Sequence, residues 1–437
     1  MHQENLLRRL GLFSSFIVCI GGVIGSGVFL VATDIARAVP SPFISMLVWA
    51  VAGVISLAGA LIFAELGAMF PKAGGQYVFL REAFHPVVAF LFGWTLVFVI
   101  QTGSIAAVAV AFAKFSSSFY VFTEFETNVA ASLLIVVLTL FNSFGIEKGS
   151  WFLDAITSFK IVAIIFFVIA AFFTFGAEPN NVPSLFSGLK DSTVTVSAFG
   201  VAMVAAFWAF DGWYALTFVA GEVKDPGKNI PRATLLGIIF VTLLYMLVNL
   251  SYFQVLDINS VQASDFVAAD AARVMGGEYA VKLISILVII SVIGCLSAMI
   301  ISGARVAYAM GKDRVLPPIL AYVSPKNHSP NVALGLQMFW SIVLVWSGRF
   351  DQLFTYVVFA AFIFYGLTAY AVIHLRRKKD LNVKRPYKVP FYPWLPLAYV
   401  LFCVAFTLNS IIEKPLEAVA GLLIVGLGLP AYFYFKK

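Results

Sequence analysis

Charge is scarce in this sequence. Asp, Glu, Lys and Arg make up 12% of its 437 residues, against 61% that are hydrophobic. No water-soluble core hides that much apolar surface, which excludes a soluble enzyme or a soluble binding module. Cysteine is almost missing: Cys19, Cys295 and Cys403 are the three present, and each falls inside an apolar run. That placement excludes a disulfide framework. The four histidines, His2, His85, His328 and His374, are too widely separated to supply a metal-ligand spacing. No metal and no other cofactor is expected, and no enzymatic activity.

What the sequence has in abundance is long apolar runs. Windows of about 20 residues predict twelve transmembrane helices near 11–38, 41–69, 84–113, 127–146, 151–176, 193–221, 232–256, 279–310, 332–347, 352–375, 391–412 and 416–435. The chain therefore reads as an all-α polytopic membrane protein. Arg8-Arg9 before the first run imitates a signal peptide, but that run is too long for one. Placing both termini in the cytoplasm puts most of the 29 Lys and Arg on the inner side, as the positive-inside rule requires. The basic run Arg376, Arg377, Lys378, Lys379, Lys384, Arg385 and Lys388 then contacts anionic lipid of a cell membrane, and no nucleic acid is expected as a partner. The stretch 257–278, with Asp257, Asp265, Asp270 and Glu278, reads as an outer loop.

Beyond a cytoplasmic tail, 1–10, the runs divide into two sets of five, 11–176 and 193–375, followed by two further helices in 391–435 and a short tail, 436–437. An odd number of crossings makes the second set enter from the opposite side, which is the signature of an inverted repeat. Each set opens with an interrupted run. The first break is Gly21-Gly22-Val23-Ile24-Gly25-Ser26-Gly27 and the second is Trp208-Ala209-Phe210-Asp211-Gly212-Trp213. Irregular backbone at membrane depth survives only where it lines a cavity or is buried in protein, and matching breaks point to a transporter's binding site.

The glycines of the first break free amide N–H groups to meet an anion, and the half-helix after Gly27 adds the positive end of its dipole. Close small-residue helix packing through Gly21 and Gly25 accounts for the same residues. At the second break, Asp211 costs roughly 2.5–3.5 kcal/mol in mid-membrane unless compensated. A helix-capping role fits it, as do a cationic substrate side chain or a basic residue elsewhere. The freed carbonyls of Trp208 and Ala209 suit an ammonium, so the two breaks together suit a zwitterion. Lys160 lies too deep to snorkel, and faces the carbonyls of the first break either as a strut or as a proton-coupling group. Asp154 reads as a helix-end charge. Glu65, Glu222 and Arg305 read as helix-end charges or as an inner gate.

Three motifs then resemble one family. They are Gly22-Val23-Ile24-Gly25-Ser26-Gly27-Val28-Phe29, Ala64-Glu65-Leu66 with Phe70-Pro71-Lys72-Ala73-Gly74-Gly75-Gln76-Tyr77, and Phe207-Trp208-Ala209-Phe210-Asp211-Gly212-Trp213 continuing into Gly221-Glu222-Val223-Lys224-Asp225-Pro226. The chain resembles the amino acid–polyamine–organocation superfamily over its whole length. Within it, the L-type amino acid transporter branch is closest in pattern, with the bacterial serine/threonine and alanine/serine/cysteine exchangers. The resemblance implies a LeuT-type 5+5 inverted repeat with two extra helices.

It also implies a substrate carboxylate on the N–H groups of Ser26 and Gly27 and an amine on the carbonyls of Val23 and Trp208. Ile24, Gly25, Ala209, Asp211 and Gly212 complete the expected site. Trp208 is the expected aromatic gate, and Lys160 with Tyr245 the coupling groups that stand in for sodium. The outer loop 114–126 lacks the cysteine through which animal members join a heavy chain, so no disulfide-linked heavy chain is expected. The reading is a sodium-independent transporter of L-amino acids, small neutral ones first, working by exchange or with protons. Cationic amino acids or polyamines are the second substrate class, and a non-transporting amino acid receptor is the reading from another functional class.

Overall fold

A computed structural model describes residues 6–116, 119–175, 194–347, 350–378, 383–413 and 415–435. The expected tail 436–437 and residues 1–5 of the N-terminal tail lie outside the described residues. Every regular element described is helical, apart from an isolated parallel bridge between Leu10 and Val223.

The first apolar run forms α1 (Leu12–Val23) and α2 (Gly27–Ala38), bent by 42° at the glycine break. Helix α3 (Pro42–Met69) starts where Ser41 caps the amide of Ile44 and Pro42 occupies a position that needs no donor. A short helix, α4 (Gln76–Ala83), leads to α5 (Pro86–Thr95), which passes through a π turn at Leu96–Ile100 into α6 (Gln101–Phe115). Helix α7 (Glu124–Ser143) begins with a capping box in which Thr123 and Glu126 satisfy one another's amides. Helix α8 (Ile146–Phe175) closes the first set of five.

The second interrupted run gives α9 (Val196–Phe210) and α10 (Ala215–Phe218). Helix α11 (Pro226–Val255) follows, and then α12 (Ile258–Ala263) and α13 (Val267–Lys312). The expected outer loop 257–278 is thus largely helical. Asp257 caps α12, and α13 kinks at Gly276 and Gly277, where a φ of 63° at Gly277 turns the chain into the membrane span. Helices α14 (Asn331–Trp346), α15 (Phe350–Arg377), α16 (Trp394–Glu413), α17 (Pro415–Gly426) and α18 (Gly428–Phe435) complete the chain.

Among the described residues, nine helices are long and apolar enough to span a membrane, or ten with the bent pair counted as one. Val196–Phe210 and Asn331–Trp346 are apolar but shorter, so helix length alone does not establish the expected count of twelve. Burial separates centre from rim. The most apolar windows of Pro86–Ala113 and Val267–Lys312 are each 72% buried, whereas those of Glu124–Ser143, Trp394–Ile412 and Ala418–Phe435 are each 22% buried. The α5–α6 and α13 helices, together with α15, whose window in Phe359–Arg377 is also 72% buried, therefore form the centre, around the broken pairs, and the last helices present apolar side chains outward, as lipid contact requires.

Candidate functional site

The two breaks meet backbone to backbone. Gly212 has a φ of 103°, and a Cβ there would lie 2.7 Å from the Gly22 carbonyl oxygen. A Cβ on Gly27 would lie 2.8 Å from Cα of Ala209. Glycine at both positions is what allows the interrupted helices to touch.

Beside this crossing is a cavity of about 40 Å³, lined from the first break by Gly22, Val23, Gly25, Ser26 and Gly27 and from the second by Trp208, Ala209 and Asp211. A space of that size holds a few waters. Ser26 immediately precedes the first turn of α2, so the amides heading that helix have no carbonyl four residues earlier within it to accept them. Two of the expected site residues do not line the cavity. The Ile24 carbonyl turns away to accept from Lys160 and Ser291, and Gly212 is used up in the contact with Gly22.

The opposite wall comes from Gly103, Ser104, Ala107 and Val108 of α6 and from Cys295 and Met299 of α13. These were not nominated from sequence. The polar cluster Gln101-Thr102-Gly103-Ser104 within an apolar run, just past the π turn, was a readable signal; Cys295 and Met299 offered none.

Asp211 is not a helix N-cap. It follows α9, the next helix begins at Ala215, and its side chain instead accepts from the hydroxyls of Tyr365 at 2.9 Å and Tyr214 at 3.1 Å. Those two tyrosines, on α15 and at the start of α10, are the compensation the sequence left open.

Behind the first break, Lys160 is fully buried and donates to the carbonyls of Gly21 at 3.3 Å and Ile24 at 2.5 Å. Among the described residues no carboxylate lies within ion-pair distance of it. The carbonyls at the C-terminal end of α1 carry the negative end of that helix's dipole and take the place of a counter-ion. Tyr245 of α11 binds the breaks together, its hydroxyl shared between the carbonyls of Val23 at 2.8 Å and Ala209 at 3.1 Å. Val23 also accepts from the Gly25 amide, which occupies both lone pairs of its carbonyl, and the Trp208 carbonyl accepts from the Asp211 amide. The Cys295 thiol lies 3.4 Å from the Gly22 carbonyl.

One end of the bundle, the tail face, is closed by the N-terminal segment. The amides of Arg9 and Leu10 donate to the Glu222 carbonyl, the Lys224 amide donates to Leu10, and the Arg8 guanidinium reaches the Val223 carbonyl. Beneath this strip the Glu222 carboxylate receives Arg305 in a two-pronged pair at 2.8 and 3.2 Å, with side chains 0% and 1% exposed. Glu65 is not part of that pair. It is held separately by Arg376, Arg385 and the Val389 amide, which fastens the segment before α16 to the end of α3.

Comparison with known proteins agrees in extent. A family model described as amino acid permease matches residues 10–426. The b(0,+)-type amino acid transporter 1 of Mus musculus is 31% identical, over 100% of this chain and 89% of its own length. The serine/threonine exchanger SteT of Bacillus subtilis is 29% identical, over 100% and 99%. The cystine/glutamate transporter of Homo sapiens is 28% identical, over 99% and 86%.

Proposed function

The chain belongs to the amino acid permease family, and from that premise we propose that it is a sodium-independent secondary transporter exchanging small neutral L-amino acids across a cell membrane by alternating access. The observation that carries this reading is the cavity at which the amides heading α2 face the end of α9. In the proposal, the substrate carboxylate lies on the amides of Ser26 and Gly27. Its ammonium lies at the carbonyls of Val23 and Trp208, where it competes with Tyr245 for Val23. Occupancy thereby loosens the hydrogen bond that ties the two breaks. Trp208 closes the outer side, and Lys160 holds the carbonyls that a sodium ion would otherwise need.

The small cavity and the two hydroxyls already on Asp211 favour neutral over cationic side chains. The cationic or polyamine reading is supported by that same carboxylate lining the cavity. In this proposal residues 11–176 and 193–375 are inverted repeats, both termini are cytoplasmic, and the tail face is the inner face. Relatives bearing the names exchanger and transporter support turnover over a receptor role.

Proteoliposomes preloaded with serine and assayed in sodium-free buffer test the reading. Uptake of labelled serine, threonine or alanine that depends on internal amino acid supports it. Uptake driven by a proton gradient and indifferent to preloading converts exchange to symport. Binding without accumulation leaves a receptor, and competition by arginine or putrescine in place of alanine moves the substrate to the cationic class.

A further inference from the structure

The segment 383–393, which leads into α16, lies as a strap across the tail-face ends of three helices. It continues into α16, it is fastened to α3 through Glu65, and it meets the start of α11, where a Cβ on Gly227 would lie 2.8 Å from Pro386. Within the bundle the same three helices are neighbours, Gly53 of α3 packing against Thr242 of α11 and Gly59 against Tyr399 of α16. Exposure alternates along the strap. Arg385 and the Val389 amide serve Glu65, whereas Lys384 and Lys388 are exposed. The Arg376 guanidinium, which also holds Glu65, lies 3.9 Å from the centre of the Tyr392 ring and pins the strap at its far end.

The basic run that looks uniform in sequence is therefore divided. Arg376 and Arg385 are spent on Glu65, while Lys384 and Lys388 stay free of it. The contact of Pro386 with Gly227 brings beside them Lys228 and Arg232, four residues apart on one face of α11. All four of these cations are exposed, and among the described residues none is in an ion pair, not even with Asp225 at the head of α11. Gathered like charges repel one another unless an anion lies among them. At the same end Phe391 and Trp394 are 80% and 72% exposed, and exposed apolar side chains continue along α16 at Leu397, Leu401 and Val404. Aromatic side chains of this kind favour the headgroup level of a bilayer.

We propose that the strap and the first turns of α11 form a binding site for one anionic phospholipid of the leaflet at the tail face. Lys228 and Arg232 hold the headgroup phosphate from one side and Lys384 and Lys388 from the other. Phe391 and Trp394 lie at the interface, and an acyl chain follows the exposed row of α16. Two features separate this site from the general attraction of a basic loop to a membrane. Its cations come from segments far apart in the chain, and the strap that carries two of them is fixed in place by a buried carboxylate. A bound headgroup bridges the strap to α11, which otherwise meet where Pro386 touches Gly227. The site lies apart from the cavity at the two breaks and does not depend on which amino acid is carried.

The test uses the full-length protein in detergent, titrated with phosphatidylglycerol and with phosphatidylcholine and read by native mass spectrometry. One variant carries Lys228→Gln with Arg232→Gln, and a second carries Lys384→Gln with Lys388→Gln. A third, Lys148→Gln with Lys326→Gln, removes the same charge from exposed positions elsewhere on the tail face, where Gly145 meets Asn327. The expected result is phosphatidylglycerol bound at least about tenfold tighter than phosphatidylcholine by wild type. The first two variants each lose at least about fivefold of that affinity, the third stays within about twofold, and Lys384→Arg with Lys388→Arg keeps it. Thermal unfolding without lipid should be the same in all, since only exposed side chains change. Equal affinity for the two lipids overturns the site. Equal losses in all three Gln variants also overturn it, because the attraction is then diffuse. Displacement of the lipid by millimolar inorganic phosphate overturns it as well, because the cations then hold a free anion and not a lipid.

Discussion

Replacing Lys160 with Ala removes a buried ammonium that donates to the carbonyls of Gly21 and Ile24. Ile24 keeps Ser291 at 3.3 Å, so only Gly21 loses its sole side-chain donor. A buried acceptor stripped of its donor costs about 1–3 kcal/mol. Against that, a buried ammonium with no carboxylate partner carries a desolvation penalty of several kcal/mol, which disappears with it. The two effects oppose, and the variant should fold and insert. What it loses is, among the described residues, the hydrogen-bond tie between α8 and the first break. The proposed carboxylate site, at Ser26 and Gly27 on the far side of that break, should keep its geometry. Equilibrium affinity should therefore stay within about threefold while turnover falls at least tenfold, which corresponds to about 1.4 kcal/mol on the rate-limiting barrier. Lys160→Met, which refills the volume, should behave alike. The paired assay is binding to purified protein and exchange in proteoliposomes. Unchanged turnover in either variant, or affinity lost in proportion to rate, would refute the reasoning.

Further outcomes follow from particular contacts. Gly27→Ala puts a methyl group against the backbone of Ala209, a strain of about 1–3 kcal/mol, and should weaken amino acid binding at least tenfold; wild-type affinity would contradict the close crossing. Arg305→Met leaves Glu222 buried without its partner and should lower stability by about 3–5 kcal/mol. The double variant with Glu222→Leu should recover most of that in thermal unfolding, and failure to recover would show that the pair is not the source of the loss. Cys295 lines the cavity whereas Cys19 and Cys403 do not. A membrane-permeant maleimide should block transport through Cys295, with saturating amino acid slowing the block and Cys295→Ala abolishing it. Asp211→Asn keeps the shape offered to Tyr214 and Tyr365, and should leave neutral uptake within about threefold while removing any inhibition by arginine.

Composition and run length were enough to read the fold class, because backbone in lipid is satisfied by helices or closed barrels, and continuous apolar runs of about 20 residues fit helices and not the short alternating strands of a barrel. The breaks were legible for the same reason: clustered glycines, and an aspartate in an apolar run, are costly unless something faces them. Boundaries were less so. The stretch 257–278 looked like a loop because charge and Gly276-Gly277 interrupt it, yet Asp257 caps one helix and Asp270 lies in the first turn of another. Distant partners were not legible at all. That Tyr365 reaches Asp211, 154 positions earlier, and that Glu65 takes Arg376 and Arg385 while Arg305 takes Glu222, depend on how helices pack. A single sequence carries no record of that packing.

The strip formed by Arg8, Leu10, Val223 and Lys224 sets an order of assembly. Arg8 and its acceptor Val223 are 215 residues apart. At roughly 5–20 residues per second of synthesis, Arg8 waits roughly 10–40 s for Val223. Until Val223 arrives the first half-helix is held by its neighbours alone, and Glu65 waits longer still for Arg376, which lies 311 residues beyond it.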